Sequence, residues 1–418
     1  MIQKNNSVIS IAILAWVSLV FLVIFSPNRL IDAESIYYAN LQSKSSPFSI
    51  EFIRDYQGTA GIITTWFNLL IMDITQGDIV RMRIANLFWL FLTALLFNES
   101  LKEESQNTDK FLGYNLVLTP YVFQMTARVM GDYPTFFFGF AFYILVNKLE
   151  KEDREWYWYL ITGLCGSLAI AGKQTFIFLL IFPVYYIATI KDNYWKKAIL
   201  LISSCALPAY FYWIWGGFVP KSSSYHHVKL VNVDFIYVFV FLFALSLMFF
   251  FAYIKEFIVK NLRMQLLIAI VVHLLFGLVV PFPFLRSYSV QLSGFSFMII
   301  IKYAWSIAMV LSALAGVTFF FRCCIEILSD RKNIPLILFV CLCLLAASRV
   351  PYFHGRYLAL IMPFILMIFF KAKQALITPL TALAGYFFNL VTLLILYHAV
   401  LITDTIRLIM KTMGIEKI

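Results

Sequence analysis

The chain has 418 residues, 62% hydrophobic and only 13% charged, with a mean hydropathy of +0.84. A soluble domain carries about a quarter charged residues, so the composition excludes a water-soluble globule. It points instead to an all-α, polytopic integral membrane protein, with 1–418 read as a single transmembrane domain. The formal net charge of +11 is spread in short basic clusters between apolar runs, which is the positive-inside pattern and not a nucleic-acid-binding face.

A helix needs about 20 apolar residues to cross a ~30 Å hydrocarbon core. The first run, Val8 to Phe25, has only Lys4 ahead of it and no small-residue cleavage site. It reads as a retained span, not a removed signal peptide. Directly behind it comes SPNRLIDAESIYYANLQ (26–42), in which Asp32 and Glu34 stand at the membrane surface beside Arg29, Tyr37 and Tyr38. Two residues apart, these carboxyls face one pocket only on an extended or looped backbone. Asp32 is equally well placed to cap a helix over SIYYANLQ. The same external loop, 26–78, carries RDYQG (54–58) with Asp55, and then the run Ile62 to Met72. Eleven residues make about 16 Å of helix, so this run reads as an interfacial or re-entrant helix and not as a crossing.

Further runs follow at 79–97, 111–128, 133–148, 156–172, 175–190, 198–215, 233–253, 264–280, 295–321, 334–348, 357–370 and 375–398. With the first they give about 13 spans. Those within 79–190 form a candidate catalytic core, those within 198–398 a variable set, and 399–418 a tail. With the N-terminus inside, the clusters Lys191/Lys196/Lys197, Lys255/Lys260/Arg263, Arg322/Arg331/Lys332 and Lys371/Lys373 all fall on the cytoplasmic side. Had 62–72 crossed, every one would lie outside.

The same alternation sends Asp32, Glu34, Arg54, Asp55, Arg128, Asp132, Lys173, His226, His227, Arg286, Arg349, His354 and Arg356 outward. Ionisable groups at the ends of spans tend to mark a functional path. Asp132, in ARVMGDYP (127–134), also suits a plain turn and helix start before Pro134. Snorkelling to headgroups accounts for any single base of the set. Lys173 is harder to dismiss: it interrupts LAIAGKQTFIFLL (168–180) with apolar residues on both sides, and such a charge needs an anionic partner, an acid or a phosphate. His226 and His227 fit loop polarity better than metal binding. The six cysteines show no metal-like or disulfide spacing and read as small apolar fillers.

Acids and cations together at a membrane surface suit one chemistry in particular. Displacing a phosphate leaving group by a hydroxyl calls for a carboxylate to take the proton and for fixed positive charge where the phosphate's negative charge accumulates.

At this point the chain resembles the GT-C superfamily of polyprenyl-phosphate-sugar glycosyltransferases, in the branch of protein O-mannosyltransferases and the aminoarabinose and galacturonic acid transferases of lipopolysaccharide. The resemblance covers roughly 8–180 and 350–365. It is carried by the acidic pair after the first span, GDIVRMRIANLFWLFLTALLF (77–97), TPYVFQMTARVMGDYPTFFF (119–138), GLCGSLAIAGKQTFIFLL (163–180) and HGRYLALIMP (354–363). It implies an inverting transferase in a bacterial cytoplasmic membrane, with its active site on the exterior. Asp32 would be the catalytic base, with Glu34 as the alternative, while Asp132 would orient the acceptor or bind metal. Asp55 would line the pocket, and Lys173, Arg356 with Tyr357, and Arg128 would hold the donor. A divalent cation, Mg or Mn, would sit on Asp32 and Asp132 if one is used. The partners would be a polyprenyl-phosphate-linked sugar, a glycan, lipid or protein acceptor, and membrane lipid. Gln57-Gly58-Thr59 departs from a His-Pro-Pro-like start of the short helix, and the pair is Asp-Ala-Glu, so sugar and base stay unassigned. The rivals are an O-antigen polymerase, a secondary transporter and a flippase.

Overall fold

A computed structural model describes residues 2–25, 46–56, 61–75, 78–104, 112–120, 122–126, 132–189, 193–218, 220, 235–276, 296–348, 358–373, 377–391 and 393. Most of these residues are helical, with no strand among them. In chain order the helices are α1 (Ile2–Ile24), α2 (Ile50–Arg54), α3 (Ile62–Thr75), α4 (Ile79–Glu104), α5 (Val122–Thr126), α6 (Tyr133–Lys151) and α7 (Trp156–Gly172). There follow α8 (Ile181–Thr189), α9 (Tyr194–Trp215), α10 (Phe235–Phe276), α11 (Ser296–Ile327), α12 (Ile334–Ser348), α13 (Met362–Ala372) and α14 (Pro379–Val391). Short 3-10 segments precede α5 (Leu112–Leu118) and α8 (Gln174–Leu180).

Among the described residues, five helices are long and apolar enough to cross a membrane: Ser7–Ile24, Ile79–Glu103, Tyr194–Trp215, Ser306–Ile327 and Arg331–Ser348. Their exposed faces are as apolar as their buried ones. On α1, Val8, Ala12, Ala15, Leu19 and Val23 are buried at helical spacing, while Ile13, Val17, Phe21 and Ile24 face outward. A helix that is hydrophobic all round, with no protein on one side, has lipid for its solvent. On α9 the exposed Trp195 and Trp213 are 18 residues apart, about 27 Å of helix, the separation of the two aromatic belts of a bilayer.

Packing divides the chain into two units, Met1–Glu103 with Asp109–His226 and Ala382–Ile418, and Glu104–Thr108 with His227–Thr381. In the first, α7 is the central helix, lying between α6 and α9. Its small residues allow close approach: a Cβ on Gly163 would fall 1.8 Å from Ser203 Oγ and 2.7 Å from the Leu200 carbonyl of α9. Ser167 Oγ accepts the Leu207 N–H at 3.0 Å, just before Pro208 interrupts the α9 ladder. In the second unit α10 pairs with α11, and α12 and α13 complete the group. Phe249, Phe250, Phe319, Phe369 and Phe370 form its aromatic centre, with ring centroids 5.2–6.4 Å apart.

Four expected runs take a different form. The stretch 111–128 is not one helix but a 3-10 segment, a turn at Thr119-Pro120 and the five-residue α5. The stretch 175–190 begins as 3-10 and becomes α-helical only at Ile181. The runs 233–253 and 264–280 are joined, because the intervening AYIKEFIVKNLRM has good helix formers and neither Gly nor Pro. Within this range two helices meet across a kink at Phe250, whose backbone is non-helical (φ −134°, ψ 32°). The run at 62–72 is a helix of 14 residues, α3, about 21 Å long and still short of a bilayer core.

Gly163→Val should destabilise the first unit by about 1–3 kcal/mol through overpacking against α9. Thermal unfolding in detergent micelles checks this, and an unchanged midpoint would mean that α7 and α9 do not meet at this residue.

Candidate functional site

Asp132 occupies the N-cap position of α6, with Pro134 in the first turn. An Asp here ordinarily bonds its own helix N–H groups, yet this side chain makes no cap bond. Its Oδ1 accepts the Gly61 N–H at 3.2 Å and the Thr64 hydroxyl at 3.2 Å. Its Oδ2 accepts from Lys173 Nζ at 3.0 Å. Asp132 is 3% exposed and Lys173 7%. The expectation that Lys173 pairs with an acid is met by Asp132.

Lys173 reaches it because the helix stops there. Its backbone is extended (φ −152°, ψ 119°), although its N–H still bonds the Ala169 carbonyl at 3.0 Å and its carbonyl starts the next 3-10 turn. The two preceding glycine contacts bring the segments to backbone distance. A Cβ on Gly61 would lie 1.4 Å from the Gly172 carbonyl oxygen, and one on Gly172 would lie 2.1 Å from Thr135 Oγ1. The start of α3, the start of α6 and the end of α7 thus meet at a single buried ion pair.

The part of the first loop nearest this point is held down by aromatic residues. Trp215 Nε1 donates to the Ile53 carbonyl at 2.6 Å and Trp66 Nε1 to the Pro47 carbonyl at 2.8 Å. The Tyr56 hydroxyl bonds Thr65 Oγ1. Phe52, Ile53, Ile62 and Ile63 are buried against Ala171 and Phe211.

The other expected site residues divide in two. Asp55 is exposed and forms an ion pair with Arg54 at 3.1 Å. That bond holds its carboxyl below the usual range, and no bond joins it to Asp132 or Lys173. The remainder, Asp32, Glu34, Arg128, Arg356 and Tyr357, lie outside the described residues. As for a divalent cation, Asp132 offers one carboxylate whose Oδ2 already faces an ammonium. An ion on that oxygen would meet positive charge, so this pair does not fit a metal. No group of three or more His, Cys, Asp or Glu suited to a metal occurs among the described residues.

Sequence reasoning missed Arg83. It is fully buried on α4, and the signal was available: Arg83, Asn86, Leu90 and Phe97 recur at helical spacing on one face, and all four are buried. It also missed Thr64, whose hydroxyl reads in sequence as ordinary helix polarity.

A second polar cluster closes the opposite end of α6 and α7. Asp153 accepts from Lys196 Nζ at 3.0 Å, Asn193 Nδ2 at 2.9 Å and the Tyr159 hydroxyl at 3.2 Å. The Lys196 bond in particular holds its carboxyl below the usual range. Nearby, Lys148 pairs with Glu103 at 3.2 Å and the Tyr186 hydroxyl donates to the Leu149 carbonyl at 2.9 Å. The 19 residues of α6 between the two clusters span about 28 Å.

In comparisons with known proteins, no family model matches the chain and no curated protein matches it in sequence.

Removing one member of a buried pair leaves an uncompensated charge, at a cost of about 3–5 kcal/mol. Lys173→Met should therefore unfold the protein at markedly lower denaturant than the parent, and adding Asp132→Asn to it should recover part of the loss. Denaturant titration of the parent, Lys173→Met, Asp132→Asn and the double variant measures this coupling. Additive losses would show that the two side chains do not interact.

Proposed function

We propose that the protein is a membrane glycosyltransferase. It moves a sugar from a polyprenyl-phosphate donor to an envelope glycan, lipid or protein on the external face of a bacterial cytoplasmic membrane. The observation that carries this reading is the Asp132–Lys173 pair, because it ties the first external loop, at Gly61, to the ends of α6 and α7. Asp32 and Glu34 belong to that loop.

The proposed topology has about 13 crossings and places this pair outside. Its support is the way chain ends group. Residues expected outside (Gly61, Thr64, Asp132, Lys173) bond one another. Residues expected inside also bond one another: Glu103 with Lys148 and Asp153 with Lys196 in the first unit, and Glu326 with Lys373 in the second. The inside set carries the excess of Lys and Arg, as the positive-inside rule requires.

In the reaction, the acceptor hydroxyl loses its proton to Asp32, with Glu34 as the alternative, and its oxygen bonds to the anomeric carbon. The bond from that carbon to the phosphate oxygen breaks on the opposite side, and the electron pair leaves with the polyprenyl phosphate. This inverts the centre, as the base-and-displacement arrangement of inverting glycosidases does. Arg356 and Arg128 supply positive charge for the departing phosphate. Lys173 adds to that field while one of its three N–H donors is held by Asp132.

A second reading has an observation of its own. Interrupted helices beside a buried acid and base are also how secondary transporters build substrate sites, and 112–126 and 173–180 are both interrupted near Asp132.

Mass spectrometry of envelope glycans from cells with and without the protein separates these readings. Loss of a single hexose, pentose or uronic acid, not restored by a copy carrying Asp32→Asn and Glu34→Gln, is expected of the transferase. A shifted chain-length distribution would indicate a polymerase. Unchanged glycans, or full restoration by the doubly substituted copy, would sink the proposal.

A further inference from the structure

The segment 112–126 poses a problem of backbone chemistry. Its 3-10 helix ends at Leu118, the chain turns at Thr119-Pro120, and helix resumes at Val122. A continuous helix would have bonded the carbonyls of 118 and 119 and the N–H of 123 internally. The break leaves the Thr119 carbonyl only a long bond from the Val122 N–H, at 3.4 Å, and in a lipid environment no water replaces the lost partners. One side chain meets all three groups. Asn389 Nδ2 donates to the Leu118 carbonyl at 3.0 Å and the Thr119 carbonyl at 2.9 Å, and its Oδ1 accepts the Phe123 N–H at 3.4 Å. It comes from α14, some 270 residues on, and is fully buried. The Gly385 carbonyl of its own helix is also 3.1 Å from Nδ2, so two N–H groups are shared among three carbonyls; only a primary amide offers two donors and an acceptor in so small a space.

The contacts continue from there to the ion pair. The Tyr133 hydroxyl donates to the Val122 carbonyl at 3.2 Å and shares a bond with Thr126 Oγ1 at 2.8 Å, so α5 is fastened to the residue next to Asp132. Tyr133 is 1% exposed and Thr126 0%. α14 is itself held against α1, where the Tyr386 and Ser18 hydroxyls bond at 2.9 Å, and the Tyr386 ring meets Phe123 edge-on at 6.2 Å.

The geometry points to Asn389 as a positioning residue: through α5 and Tyr133 it sets where α6 begins, and so where Asp132 Oδ1 stands relative to the Gly61 N–H. α14, remote in sequence from the site, then belongs to its machinery. This role concerns the ion pair itself and holds whether or not sugar transfer is the chemistry the pair serves.

Hydrogen exchange read by mass spectrometry, on the purified full chain in lipid nanodiscs, tests it through the Gly61 amide. In Asn389→Ala, the peptide covering 61–65 should exchange about tenfold faster or more, together with 118–126, while 156–170 and 334–344 keep the parent rates. Tyr133→Phe leaves α14 and Asn389 untouched and removes only the link from α5 to α6, and it should accelerate 61–65 in the same sense. The proposal is overturned if Asn389→Ala accelerates 118–126 and leaves 61–65 at the parent rate, or if Tyr133→Phe leaves 61–65 unchanged. It is equally overturned if all four segments accelerate together in both variants, since Asn389 would then support overall stability alone.

Discussion

A carboxylate and an ammonium 3.0 Å apart and almost wholly buried make up the constraint around which the first unit is arranged. Neither charge could sit at that depth without the other. Desolvating a lone ion costs several kcal/mol even after relaxation, and apolar helices surround both. Because the partners lie 41 residues apart on different helices, the requirement that they meet fixes the register of α6 against α7. The other oxygen of Asp132 extends the constraint to α3 through Gly61 and Thr64. The backbone had to permit this meeting. Glycine at 61 and at 172 lets three segments come within a distance that any side chain would forbid.

The interrupted helices follow from the same need for polar groups in an apolar setting. Where α7 stops at Lys173, the extended residue turns its side chain out of the helix line and across to Asp132, while its backbone groups stay bonded on both sides. Where 112–126 is broken, side chains supply what the backbone lost. Asn98 Oδ1 takes the Gly113 N–H at 3.1 Å, and Asn389 takes the groups around the turn. Both asparagines are buried. Irregular backbone in a membrane protein survives where protein, not lipid, covers it, and here the cover comes from α1, α4 and α14.

What could be read in the sequence, and what could not, divides along the range of the interactions. Helical class and apolar runs depend on local composition, so the chain displays them openly. Lys173 advertised its need for an anion because its flanks are apolar for several residues on either side. The break at 119–120 was invisible although Pro120 stood in plain view, since the turn is tolerable only with an amide from position 389 beside it. The helix that continues past the kink at Phe250 was hidden for the opposite reason: charged residues at 255, 260 and 263 looked like a loop, whereas helix propensity carried the chain through. The resemblance put Asp55 in the pocket lining, and the partner it has in the structure is the adjacent Arg54. Arg83 was overlooked because attention to the ends of spans passes over a charge on the inner face of a long one.

The same geometry bears on which carboxylate accepts a proton in the proposed reaction. A general base needs an open lone pair within reach of the substrate hydroxyl. Asp132 already accepts from an ammonium, a hydroxyl and a backbone N–H, three of the about four acceptor sites of a carboxylate. It is better suited to holding the site than to taking part in turnover. Asp55 is open to solvent, but Arg54 holds its carboxyl below the usual range and so makes it a poorer acceptor. Asp153 is bonded to Lys196 at the far end of α6. In the proposed reaction the base is Asp32 or Glu34, an assignment that comes from the resemblance of the first loop. The buried ion pair would serve that reaction by holding the same loop at Gly61.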